Sequence, residues 1–292
     1  MKTLKHGLLL TSIMLSGSVF PCSIDGKDGI LPRNNMRVPV NAKVQSGITE
    51  EGFNAVIDKV ETVYAPIISS FGAELSVVRN WKDDTVNAYA EQSGKKWKVS
   101  MFGGLARHQT ITEDGFALVV CHEIGHHIAG APLYSWKSGW ASTEGQSDYF
   151  ATTKCLRRSW INDDNKAIVE AMTIPDQVLR ACGKTTRFRK TEDYYICARG
   201  AMAGMSVAKL FASFGGSQPK FETPDTKVVT KTNESHPASQ CRLDTYFAGA
   251  VCPVAFSEDF SRDGEVAGAC HGSLGHTTGT RPLCWFKPAV AQ

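Results

Sequence analysis

The sequence contains no apolar run approaching the roughly 20 residues that a helix needs to cross a bilayer. The best candidate, Leu8 to Leu15, is far shorter, and no later segment comes closer. Neither charge is in excess: 32 Lys and Arg stand against 29 Asp and Glu, and no basic stripe interrupts the mixture. This balance excludes a nucleic-acid-binding face. Internal repeats and long linkers are also missing, so the simplest account of the 292 residues is one domain. With 42% hydrophobic and 21% charged positions, disorder, collagen and coiled coil are excluded as whole-chain readings. A chain of this length buries about three quarters of its unfolded surface around one core.

What the chain does have begins with a leader. Lys2 and Lys5 precede the apolar run, and Ser16, Gly17 and Ser18 follow it, which predicts a signal peptide over residues 1–21 and an exported protein, periplasmic or secreted. Removing Lys2 and Lys5 leaves a nearly neutral chain. Nine cysteines agree with export, because disulfides persist in oxidising compartments. The odd number leaves two readings of Cys22: a lipid-modified N-terminal cysteine with eight others forming bridges, or an ordinary cut near Ser18 with Cys22 free or paired. Cys182 and Cys197 flank a short basic stretch and predict a local bridge. Some pairing among Cys252, Cys270 and Cys284 is expected in the tail, and Cys121 is read as a buried thiol or a bridge to Cys155.

Thr49 caps a predicted helix with Glu50 and Glu51 in its first turn and Phe53, Val56, Ile57, Val60 and Tyr64 at helical spacing. Short β-like runs follow at Leu75 to Val78, Val86 to Ala90 and Trp97 to Phe102, broken by Asp83-Asp84 and Ser93-Gly94, and together predict a small antiparallel sheet. Thr112, Glu113 and Asp114 start a second helix that runs to about Ala129 before Gly130 and Pro132. Further helices are expected from Glu144 to about Arg158, from Thr191-Glu192 to about Phe214, and from Pro237 to about Ala250. Residues 218–235 read as a surface loop, and the tail 251–292 as a Gly-rich, cysteine-containing extension packed on the same α+β domain, 22–250, and ordered by disulfides.

The strongest chemical signal is His122-Glu123-Ile124-Gly125-His126. Helix positions four apart lie about 40° apart around the axis, so His122 and His126 present their imidazoles on one face, one turn apart. Two nitrogens so placed grip a zinc ion, and Glu123 beside them can take a proton from a water that the metal has acidified. The third ligand must come from elsewhere. Zinc peptidases with a third histidine place glycine three and histidine six residues after the second; here those positions are Ala129 and Pro132. The other type uses a glutamate from the next helix, and Glu144 stands eighteen residues after His126 with Asp148 one turn further on. Glu144 is therefore the expected ligand and Asp148 the acceptor of a ligand histidine's second N–H, with Ala141, Ser142 and Gly145 small enough to let the helices approach. His127 points about 100° from His126 and is read as a helix-face residue. His271 and His276 are read as solvent-exposed.

These residues resemble the family that contains the CAAX prenyl endopeptidases and the HtpX-type quality-control proteases. Asn87-Ala88-Tyr89-Ala90 is similar to its Asn-Ala-Phe-Ala strand, and Val99 through Gly104-Leu105 to its edge strand. Glu144 and Asp148 match its Glu-x-x-x-Asp element, and His236-Pro237 with Arg242 its His-Pro followed by Arg. The resemblance covers about Leu75 to Ala250 and implies a gluzincin, or zincin-like, fold with a small sheet and an active-site helix bundle. It implies that Trp97 to Phe102 holds an extended peptide as an edge strand. It implies that His236 stabilises the oxyanion and that Arg242 supports it. Gly145-Gln146 departs from the family pattern, transmembrane helices are missing, and the tail has no family counterpart; CAAX processing is not expected.

The expectation is an exported endopeptidase with one Zn²⁺ per chain, held by His122, His126 and Glu144. It would hydrolyse peptide bonds in peptides or unfolded proteins by a zinc-activated water, with no covalent intermediate needed, in envelope protein quality control. The alternative is a chaperone or envelope-assembly factor that binds extended chains with little cleavage.

Overall fold

The protein is described by a computed structural model, which defines residues 29–135, 139–185 and 191–289. The leader and Cys22 lie outside them. Among the described residues no helix is long and apolar enough to cross a membrane.

Helix α1 (Glu50–Ser70) begins where the Thr49 side chain accepts from the Gly52 amide. It buries Phe53, Ile57, Val60, Tyr64 and Ile68, a stripe at three- and four-residue spacing. Strands β1 (Glu74–Asn80), β2 (Ala88–Ser93) and β3 (Lys96–Phe102) form one sheet in the order β1-β3-β2. The hairpin at Gly94 joins β2 and β3 as expected, but β1 pairs with β3 in parallel, so the sheet is mixed rather than antiparallel. Trp97 to Phe102 is consequently the central strand, and β2 lies at the edge, contrary to the expectation for β3. Asp83-Asp84 ends β1 as a turn signal should, but the chain then crosses over instead of doubling back. Buried Arg107 at the end of α2 (Gly103–Arg107) holds that crossover, donating to the carbonyls of Val38, Trp81 and Asp83 and to the Asp84 carboxylate. Alternation within a strand records which face is buried, and says nothing of its neighbours.

Helix α3 (Glu113–Ile128) starts at Thr112, whose hydroxyl accepts from the Gly115 amide, and runs through the middle of the core. After it come α4 (Glu144–Phe150), a π-helical segment (Ala151–Cys155) and α5 (Leu156–Trp160), continuous as the predicted third helix. Two short helices, α6 (Asn165–Glu170) and α7 (Asp176–Lys184), precede the long α8 (Glu192–Ala212), and α9 (Ser239–Val251) packs along α8.

All eight described cysteines are bridged: Cys182–Cys197, as expected, Cys121–Cys155, one of the two readings of Cys121, Cys252–Cys270, a pairing within the tail, and Cys241–Cys284. Cys284 thus ties the tail to α9 instead of to another tail cysteine. Beyond α9 the only regular element described is a 3-10 turn at Gly272–Leu274, yet Trp285 and Phe286 are fully buried. His271 is buried as well, its Nδ1 bonded to the Ser273 hydroxyl, which corrects the expectation of exposure. The polar composition around it did not register that the Cys252–Cys270 bridge folds the tail back on itself.

Candidate metal centre

Three side chains from two helices converge in the core. His122 and His126, one turn apart on α3, present perpendicular rings with centroids 4.7 Å apart. Glu144, the first residue of α4, places Oε2 3.4 Å from His122 Nε2 and Oε1 3.3 Å from His126 Nε2. One ligand atom from each of the three lies within 4.8 Å of the others, and all three residues are buried. The helices approach this closely because Gly125 faces α4: a Cβ there would stand 3.1 Å from Ser147 Cα and 3.0 Å from the Phe150 ring. Gly145 does not serve this purpose. It lies against the Trp285 ring from the tail, where a Cβ would overlap.

The outer nitrogens of both histidines are committed elsewhere. His122 Nδ1 donates to Asp148 Oδ1 at 2.7 Å, as expected, and His126 Nδ1 donates to the Ser142 carbonyl at 2.8 Å. Each ring therefore turns its Nε2 inward. Asp148 is in turn held by Arg242 on α9 through two bonds, Nε to Oδ2 at 2.7 Å and Nη2 to Oδ1 at 2.6 Å, and by the Tyr246 hydroxyl at 2.7 Å. Arg242 thus orients the partner of a histidine. Tyr134, on the loop between α3 and α4, donates to Glu144 Oε1 at 3.2 Å.

The electrostatics favour positive charge at this point. Burial opposes charge on His122, but the Asp148 and Glu144 carboxylates outweigh it and push the ring up to about 9. Burial would raise Glu144 and Asp148, yet His236 and His126 beside the first and Arg242 beside the second hold both below the usual carboxylate range. Glu123 is raised, chiefly by burial. His122 Nε2, Glu144 Oε2 and both oxygens of Glu123 are buried without a hydrogen-bond partner. A divalent ion fits the first two, since buried polar atoms normally find partners.

His236, on the loop before α9, reaches the same place: its Nε2 is 3.5 Å from Glu144 Oε2 and donates to the Gly29 carbonyl at 2.8 Å. His127 does not join the cluster. It is stacked between Trp97 and Trp140 at centroid distances of 5.3 and 5.0 Å, and burial holds it neutral with a pKa of about 3.

Tyr246, Tyr134 and the Ser142 carbonyl were not anticipated. Tyr246 stands four residues after Arg242, on the same helix face, and that spacing was available in the sequence. A loop tyrosine and a carbonyl leave no such signature. Compared with family models, with curated proteins and with solved structures, the chain finds no match.

Proposed function

We propose that the protein is a zinc-dependent endopeptidase, exported, that acts on peptides or unfolded proteins. The observation that carries this reading is the set of buried atoms that make no hydrogen bond: an imidazole nitrogen of His122, a carboxylate oxygen of Glu144, and with them both oxygens of Glu123. A binding protein that needed only a structural ion would have no use for a second, unligated carboxylate there. His122, His126 and Glu144 would hold the ion, a donor set of two nitrogens and one oxygen that suits zinc and leaves a position for water or substrate. Zinc supplies Lewis acidity at such a site, polarising a carbonyl and acidifying water.

The chain's own residues do the rest. Glu123, raised by burial, accepts the proton of the attacking water and returns it to the leaving amine. His236 donates from Nε2, as it already does to a carbonyl, to the carbonyl oxygen that gains charge as water adds. Asp148, Arg242 and Tyr246 fix the His122 ring. The resemblance to the CAAX endopeptidase and HtpX-type family supports the same assignment and a zincin-like fold.

Digestion of unfolded casein tests the proposal. Cleavage should require about one zinc per chain, stop with a chelator and return with zinc. Casein left intact by the zinc-replete protein would favour the chaperone reading.

A further inference from the structure

The segment at residues 29–31 lies in the candidate site, and its backbone is held there group by group. The Gly29 carbonyl accepts from His236 Nε2 at 2.8 Å. The Ile30 amide donates to the Ala88 carbonyl on edge strand β2 at 3.1 Å, and the Ile30 carbonyl accepts from Arg242 Nη1 at 2.9 Å. Asn87 then grips Leu31 from both sides, Oδ1 accepting from its amide and Nδ2 donating to its carbonyl, each at 3.1 Å. Ile30 and Leu31 are fully buried. Five consecutive main-chain groups are thus held without reference to the segment's own side chains, and the Gly29 amide donates to the Leu31 carbonyl at 3.2 Å, so the segment is bent over the site instead of added to the sheet as a strand.

The register matters. His236 is the residue assigned above to the carbonyl of the bond being broken, and that carbonyl belongs to the Gly29–Ile30 peptide. A Cβ at residue 29 would overlap the Ala88 carbonyl oxygen and crowd Asn87 Oδ1 and the Tyr89 ring, each at 2.7 Å. Only glycine fits there, whereas the next two positions accept aliphatic side chains.

We propose that the chain is its own substrate: the site hydrolyses the Gly29–Ile30 bond, and the processed protein begins at Ile30. This deepens the peptidase reading and rests on it. Water adds across the C–N bond; its oxygen completes a carboxylate on Gly29, and its two protons, the first by way of Glu123, leave on the new Ile30 amine as an ammonium. The same pose assigns a preference to the site, glycine before the cut and an aliphatic residue after it.

The test reads the N-terminus of the zinc-replete full chain, by intact mass and N-terminal sequencing, beside casein digestion. The parent should begin at Ile30, while Glu123→Gln and Gly29→Val should keep residues before Ile30. In the uncut Glu123→Gln protein, the Ile30 and Leu31 amides should exchange with solvent about a hundredfold or more slowly than in an open peptide. A parent that digests casein yet keeps Gly29 overturns self-processing and leaves the peptidase standing. An Ile30 N-terminus in Glu123→Gln assigns the cut to another enzyme and overturns it too. Rapid exchange at both amides removes the pose on which it rests. A parent that neither digests casein nor processes itself fails the peptidase reading, and this inference with it.

Discussion

Helix α3 carries a buried polar network at each end, both built around an arginine from a neighbouring helix, and only one of them is complete. At the N-terminal end, Arg199 of α8 grips Asp114 through two bonds of 2.9 and 2.7 Å and reaches Asp163 and Asn165 at 2.8 and 2.9 Å. Its guanidinium lies 3.9 Å from the Trp160 ring centroid. Toward the other end, Arg242 of α9 grips Asp148 in the same two-bond manner. There the network continues through His122 and stops at atoms with no partner, whereas none of the polar atoms of Arg199, Asp114, Asp163 or Asn165 is left so. Leaving a buried polar atom unpaired costs about 1–3 kcal/mol. The closed network is explained by folding; the open one includes the three side chains that could hold a metal ion.

The sharpest way to break this comparison is Glu123→Gln, which keeps shape and leaves His122 and His126 untouched. Turnover of casein should fall by about a thousandfold or more while the protein retains its zinc, because water activation and proton return are both lost. Steady-state kinetics and elemental analysis of the same preparation check it, and undiminished turnover would move the chemistry away from this site.

Next in size are the two arginines. Arg242→Leu leaves the buried Asp148 carboxylate with only His122 and Tyr246, at a cost of about 3–5 kcal/mol, and should weaken metal binding about 10- to 100-fold by loosening the His122 ring. Arg199→Leu should cost somewhat less, about 2–4 kcal/mol, because Asp114 and Asp163 keep some contact with solvent, and should leave metal affinity unchanged. Urea denaturation and zinc titration separate the two. Equal loss of zinc in both variants would mean that the networks do not differ as described.

The same contrast explains what could be read in advance. Both ends of α3 were legible: Thr112 with its acidic first turn, and two histidines four apart followed by Glu144 and Asp148 at helical spacing. Those signals are local, fixed by 3.6 residues per turn. Strand order was not legible, since it depends on how Arg107 holds residues 81–84. Helices α6 and α7 are too short for a periodic signal. The contact between Gly29 and His236 joins positions 207 residues apart, and nothing in either stretch announces the other.

His236→Ala tests the rim of the open network. One donor to a developing oxyanion is worth about 3 kcal/mol, so kcat should fall roughly a hundredfold with KM little changed and zinc retained. A variant with normal kcat would leave His236 as an anchor for Gly29 and no more.

The smallest effect concerns a third kind of buried charge, one held by a carbonyl and a ring face. Lys154, in the π-helical segment after α4, is 1% exposed; its Nζ donates to the Ala255 carbonyl at 2.7 Å and lies 5.1 Å from the Phe260 ring centroid. Burial, reinforced by Arg157, lowers its pKa from 10.5 to about 7. The unfolded chain therefore binds this proton more tightly than the folded one between pH 7 and 10.5, so the parent should gain stability as pH rises through that window. Lys154→Met removes the buried charge and keeps the apolar stem, and should stabilise the protein by about 1–2 kcal/mol at pH 7, with the advantage shrinking toward pH 10. Urea denaturation of both proteins at pH 7 and 9.5 measures it. A difference that does not change with pH would show that Lys154 keeps its ordinary charge in the fold, and that a carbonyl and a ring face complete a buried cation as well as two carboxylates complete Arg199.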